Sequence, residues 1–227
     1  MTEKDKPAGD AKVEGVVLLH GLGRTRLGMG YLARRLQQAG FETVSLGYRS
    51  RRLTMAQATA DVERRVEPLA GRWEVIHLVG FSLGGVISAA LFRGRTDLPF
   101  GRVVLIGAPM RGSALAAWSG RIAPVRALCG PVLAELAVPQ GPRLRAGRIG
   151  AIGGIARMPG SAMIGREVGL RGLHDGKVTL RSAWAGAGHR AAVRVGHPML
   201  PFSPEVADLT VHFLKHGVFP EGAERHG

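Results

Sequence analysis

Three times between Gly15 and Leu91, a short run of aliphatic and β-branched residues gives way to an apolar stripe at helical spacing. The runs are GVVLLHG (Gly15–Gly21), FETVSLGY (Phe41–Tyr48) and WEVIHLVGF (Trp73–Phe81). The first stripe is Leu27, Tyr31, Leu32, Leu36 and Ala39, with Gly40 as its stop. The second is Met55, Ala58, Val62, Val66 and Leu69, and the third is Leu83, Ile87, Ala90 and Leu91. Strands alternating with helices pair in parallel through right-handed crossovers. Strands that are apolar throughout need cover on both faces. GRVVLIGAP (Gly101–Pro109) supplies a fourth strand, after which the pattern loosens into short apolar helical pieces, SALAAW and PVLAELA, between glycines and prolines. RIGAIGGIA and RAAVRVG restore strands. The closing stretch SPEVADLTVHFLKHG predicts a helix with Ser203 as cap, Pro204 at its first position, and Val206, Leu209, Phe213 and Leu214 facing inward. The expectation is one α/β domain over residues 15–219, with a mostly parallel sheet of about six strands covered by helices on both faces. A small cap-like helical insertion is expected at 110–147, and flexible tails at 1–14 and 220–227.

The chain of 227 residues is 45% hydrophobic and 21% charged, enough to close a core of its own, and carries a formal net charge of +14. Such an excess can address nucleic acid, an anionic membrane surface or an acidic partner. Here the arginines are scattered (Arg34, Arg35, Arg51, Arg52, Arg64, Arg65, Arg143, Arg145, Arg148), and no helix-turn-helix, zinc-ligand or base-stacking motif accompanies them. A generally basic surface is therefore expected, with no specific nucleic-acid partner and weak association with an anionic membrane surface left open. Cys129 is the sole cysteine, so no intrachain disulfide can form. The first residues, MTEKDKPAGDAK, contain no apolar signal-peptide core, and no apolar run reaches membrane-spanning length. Cytoplasmic localisation is the expectation; the oligomeric state is not legible.

The stretch that carries chemistry is HLVGFSLGGVISAALF (His77–Phe92), where a strand-like run breaks and resumes at once as a helix. Gly80-Phe81-Ser82-Leu83-Gly84 fits G-x-S-x-G, in which serine occupies a strained strand-to-helix turn. In a doubly wound sheet, ligands bind beyond the carboxyl ends of the strands, where this turn points. A helix N-terminus behind the hydroxyl favours developing negative charge. An activated serine needs a base and a group to orient it. His197 follows the last strand and precedes the closing helix, on a loop at the carboxyl edge. His189 stands at the opposite end of that strand, and His174 sits where the acid is expected. Asp175 is the preferred acid, with Glu167 as its competitor and a plain Asp-Gly turn as the alternative for Asp175. HGLGR (His20–Arg24) follows the first strand, so the backbone N–H groups of Leu22 and Leu83 are candidates for an oxyanion hole, with His20 buttressing the loop.

These residues resemble the α/β-hydrolase superfamily, in particular its bacterial lipase- and esterase-like serine hydrolases. The resemblance rests on VVLLHGLGR, GFSLGG, VVLIGAPMRGS, HDGKVTLRSA and GHPMLPFSPEVADLTVHFL, which fall in the right order over most of Gly15–Phe219. It implies a Ser82–Asp175–His197 triad, an acyl-enzyme intermediate and no cofactor or metal. Phe81 stands where many lipase-like relatives carry histidine, and the insertion is short for a large lid. Phe81, Leu115 and Trp118 are candidates to contact substrate, with Leu128, Leu133 and Leu136 completing an apolar wall; plain packing of short helices accounts for the insertion residues equally well. The expected substrate is a small acyl ester or a lipid ester. A thioesterase, amidase or transacylase on the same triad, or a non-catalytic binding module with a basic surface, are the competing readings.

Overall fold

The computed structural model describes residues 13–140, 146–156, 168 and 170–224. Six parallel strands form its sheet: β1 (Glu14–Leu19), β2 (Glu42–Leu46), β3 (Val75–Phe81), β4 (Phe100–Ile106), β5 (Ile149–Gly154) and β6 (His189–Val193), in the order β2-β1-β3-β4-β5-β6. Central strands are buried on both faces: Val16 to Leu19 of β1 and Val103 to Ile106 of β4 have no exposed surface. That is why they read as continuous apolar runs rather than as alternating ones.

Two apolar layers sandwich the sheet. On one face Val17, Leu19, Leu78, Val103 and Leu105 meet α2 (Met55–Val66) and α3 (Leu83–Gly94) through Ala58, Val62, Val86 and Ile87. On the other, Val16, Leu18, Val79 and Val104 meet α1 (Gly30–Gln38) and the closing helix through Leu32, Leu36, Val206 and Phe213. The helices after β1 and β3 thus lie on opposite faces. Those two strands are neighbours, with Leu19 paired to Gly80 at their carboxyl ends. Oppositely directed connections leave a crevice at that point, the position at which open α/β sheets bind ligands.

Three short helices, α4 (Ala114–Ser119), α5 (Ala123–Cys129) and α6 (Val132–Glu135), occupy the expected insertion. Ser113 caps α4, accepting from the Ala116 N–H, and the Glu135 carboxylate accepts from the Met55 N–H at the start of α2, tying the insertion to the body. α7 (Leu180–Ala183) precedes β6, and α8 (Pro204–His216) closes the fold. Ser203 caps α8 by accepting from the Val206 N–H, with Pro204 at its first position; Val206, Phe213 and Leu214 are buried, and Leu209 packs partly buried against the same core.

One stripe residue departs from expectation. Leu27 is 80% exposed, because the chain enters α1 through a 3-10 turn, Arg26–Met29, that swings Met29 rather than Leu27 into the core. A turn with three residues per revolution rotates the buried face away from the 3.6-residue pattern. Of the expected tails, residues 1–12 and 225–227 lie outside the described residues, as do Arg143 and Arg145. Among the described residues no helix is long and apolar enough to cross a membrane.

Candidate active site

Ser82 sits between the last residue of β3 and the first of α3. Its φ of 53° makes it the sole non-glycine residue with positive φ among the described residues. Holding an L-residue there costs about 1–3 kcal/mol. The glycines of the turn permit it by close approach. A Cβ on Gly80 would lie 2.3 Å from the Gly84 carbonyl oxygen, and one on Gly84 would lie 2.2 Å from that of Leu19. The turn is pinned by the Ser82 N–H donating to Ile106 O at 2.8 Å. Sequence thus dictates a backbone that only small residues tolerate, and that backbone presents the hydroxyl at a helix N-terminus beside the crevice.

The structure brings Ser82, Asp175 and His197 together from three loops at the carboxyl edge. His197 opens a 3-10 turn (His197–Phe202) after β6, and its Nε2 lies 3.1 Å from Ser82 Oγ. Its Nδ1 lies 2.6 Å from Asp175 Oδ2, and its backbone N–H donates to the Asp175 carbonyl at 2.9 Å. Both Asp175 and His197 are buried. The other carboxylate oxygen, Oδ1, accepts from the N–H groups of Lys177 at 2.9 Å and Val178 at 2.8 Å. Asp175 is therefore both a turn residue and the imidazole's partner. The Asp-Gly turn fixes one oxygen so that the other is aimed. A carboxylate beside Nδ1 favours the tautomer protonated there, which leaves Nε2 as an acceptor facing the serine hydroxyl.

Leu22 and Leu83 carry backbone N–H groups on the two sides of the crevice, and neither finds an acceptor among the described residues. The first N–H groups of a helix lack intrahelical partners, so Leu83 is left free to donate by its position alone. His20 shapes the loop bearing Leu22. Its Nε2 accepts from the Tyr48 N–H at 3.3 Å and its Nδ1 donates to Gly21 O at 2.9 Å. Its ring stacks on Tyr48 at 4.3 Å, and the Tyr48 hydroxyl donates to the His20 carbonyl. Burial pushes the His20 pKa below its ordinary value, consistent with a neutral ring that both donates and accepts.

In front of these groups lies a cavity of about 330 Å³ lined by Leu22, Phe81, Ser82, His197 and, from the insertion, Leu115, Leu128, Leu133 and Leu136. Phe81 also packs against the imidazole of His197, ring centroids 5.0 Å apart. Trp118 departs from expectation: it is not among the residues that line this cavity and is left 37% exposed on α4. A larger cavity of about 900 Å³, lined by Arg111, Arg181, Trp184 and Arg190 among others, contains none of Ser82, Asp175 or His197. Ser82 and His197 open onto the smaller one.

No protein-family model matches the chain, and no curated protein matches it in sequence. Solved structures do match in shape. The mature lipase BlEst2 of Bacillus licheniformis superposes with a TM-score of 0.63 at 20% identity, over 82% of this chain and 84% of that one. The metagenomic carboxyl esterase MGS0156 gives 0.65 at 18% identity, over 97% and 76%. The propeptide form of BlEst2 gives 0.66 at 17% over 98% of this chain, which spans only 54% of that longer chain. The fold is that of the α/β-hydrolases.

Within this α/β-hydrolase fold the remaining histidines take other places. His189, the first residue of β6, packs on Phe213, and His174 is buried with Nδ1 accepting from the Gly176 N–H. The competing acid Glu167 lies outside the described residues. Three residues of the site were not legible beforehand. Lys177 and Val178 hold the carboxylate through their backbone, for which the Asp-Gly dipeptide was the available sign. Arg24, within the quoted HGLGR, lines the cavity, but its anchors Pro198 and Phe202 lie far along the chain. Among the described residues no group of three ligating side chains could hold a metal ion.

Proposed function

We propose that this chain is a serine hydrolase that cleaves carboxylic esters, acyl or lipid, through an acyl-enzyme intermediate. The observation that carries the reading is the continuous relay from Ser82 Oγ to His197 Nε2 and from His197 Nδ1 to Asp175 Oδ2, at 3.1 and 2.6 Å. As Ser82 Oγ attacks the ester carbonyl carbon, its proton passes to His197 Nε2 and the carbonyl oxygen becomes an oxyanion facing the Leu22 and Leu83 N–H groups. Collapse of this tetrahedral species breaks the acyl–oxygen bond, and His197 returns the proton to the departing alkoxide. Water then adds to the acyl-serine by the same route, releasing the carboxylic acid and restoring the serine. Asp175 stays ionised, fixing the tautomer and stabilising the transient imidazolium.

An ester substrate is supported by the mixed lining of the cavity, where apolar insertion residues can take an acyl chain. It is supported further by the shape matches, which include a lipase and a carboxyl esterase. The test is hydrolysis of p-nitrophenyl esters of graded acyl length by the wild type and Ser82→Ala. Wild-type turnover is expected, with kcat lowered by about a thousandfold or more in the variant. Exclusive turnover of amides or thioesters in a parallel panel would overturn the ester assignment while keeping the nucleophile.

A further inference from the structure

The cavity in front of Ser82 has two chemically different walls. The insertion side is apolar, with Leu115, Leu128 and Leu133, whereas Arg24, Arg51 and Lys177 line the remainder and no Asp or Glu does. Some arginines elsewhere are held by acids: Arg95 reaches Glu63, Glu67 and Asp97, Arg72 reaches Glu42, and Arg65 reaches Asp61. Among the described residues, none of the three cavity cations has a carboxylate within ion-pair reach.

Arg24 is held in place without being neutralised. Its Nη2 donates to Pro198 O at 3.1 Å, and its guanidinium lies 5.7 Å from the Phe81 ring and 5.8 Å from the Phe202 ring. Phe81 precedes the serine and Pro198 follows His197, so the charge is fixed beside the reacting atoms. Arg51 lies against the loop bearing Leu22, since a Cβ on Gly23 would stand 3.0 Å from its Nη2. The main chain of Lys177 is tied to the site by its backbone N–H, which donates to Asp175 Oδ1. A preorganised guanidinium with spare donors and no internal counterion matches a phosphate or carboxylate oxygen pair.

Resting on the ester-hydrolase reading, we infer that the substrate is an acyl ester whose alcohol portion carries an anionic group, phosphate or carboxylate. Arg24 grips that group, and Arg51 and Lys177 draw it in. The acyl chain occupies the apolar side, and the charged alcohol leaves toward the basic rim and solvent.

The test compares pairs of esters that differ in whether the alcohol portion carries an anionic group. One pair is octanoyl glycerol and octanoyl glycerol 3-phosphate; the other is the amide of 4-octanoyloxyphenylacetic acid and the free carboxylate. The anionic member is expected to have a kcat/KM about tenfold higher or more. The gap should narrow as salt is raised. A preference confined to the first pair assigns phosphate, and a preference in both assigns a general anion site. Arg24→Gln, and separately the exposed pair Arg51→Gln/Lys177→Gln, should collapse the anionic-to-neutral ratio. The remote control Arg34→Gln/Lys215→Gln removes equal charge from α1 and α8 and should preserve the ratio. Equal turnover of charged and neutral esters would overturn this inference alone, as would loss of the ratio in the remote control, which would trace it to the overall field of the protein. Absence of turnover on every ester would overturn both this inference and the ester reading beneath it.

Discussion

At the scale of single residues, the site depends on one strained backbone and one oriented carboxylate. Asp175→Asn keeps the shape of the turn, but its amide can donate to Nδ1 and stabilise the wrong tautomer of His197. Steady-state kinetics on a p-nitrophenyl ester should show kcat reduced by about 10⁴-fold, with little change in stability. A fall of less than tenfold would remove Asp175 from the relay. Ser82, Asp175 and His197 could be nominated from sequence because each stands beside a recognisable local device: a glycine-flanked turn, an Asp-Gly turn, and a histidine between the last strand and the closing helix. Arg24 could not be given a role in the same way. What fixes its guanidinium is contact with Phe81, Pro198 and Phe202, and such long-range contacts leave no periodicity or motif to read.

Among elements, the elbow between β3 and α3 tolerates least. Gly84→Ala would drive a methyl group into the Leu19 carbonyl at 2.2 Å, so α3 must move off β1. Overpacking of this kind costs about 1–3 kcal/mol, and the denaturation midpoint should fall together with activity. Ser203→Ala, by contrast, removes only the cap of α8 and should cost about 1 kcal/mol while leaving kcat largely unchanged. The alternation of strands and helices was legible because both faces of the sheet's centre are covered, which makes the central strands continuous apolar runs. The order β2-β1-β3-β4-β5-β6 was not, since it depends on which way each crossover turns. Leu27 marks the limit of periodicity, and Trp118 the limit of reading a cavity wall from apolar content alone. A 3-10 entry rotates Leu27 away from its helical stripe, and Trp118 stays partly exposed while Leu115, Ala116 and Ser119 of the same helix line the cavity.

For the whole molecule, charge and pH set the behaviour. Burial lowers the pKa of His77, whose Nδ1 accepts from the Arg102 N–H, and burial lowers that of His20 as well. A histidine held below its unfolded pKa binds fewer protons when folded. Stability therefore rises with pH through the region just below the ordinary histidine value and falls on acidification. Melting temperature should drop between pH 7 and pH 5, and His77→Gln should flatten that slope by up to about 1.4 kcal/mol per pH unit. A pH-independent melting temperature would contradict the neutral assignment of both rings. The basic excess was plain from composition, but its local meaning required knowing which arginines face acids and which face the cavity. The account as a whole turns on the activation of Ser82 by His197. The most direct measurement is peptide mass spectrometry of the wild type and His197→Ala after exposure to a fluorophosphonate. A single adduct on the peptide containing Ser82, formed rapidly in the wild type and slowed by orders of magnitude in the variant, is the predicted result. Equal rates in both proteins, or an adduct located elsewhere, would contradict it.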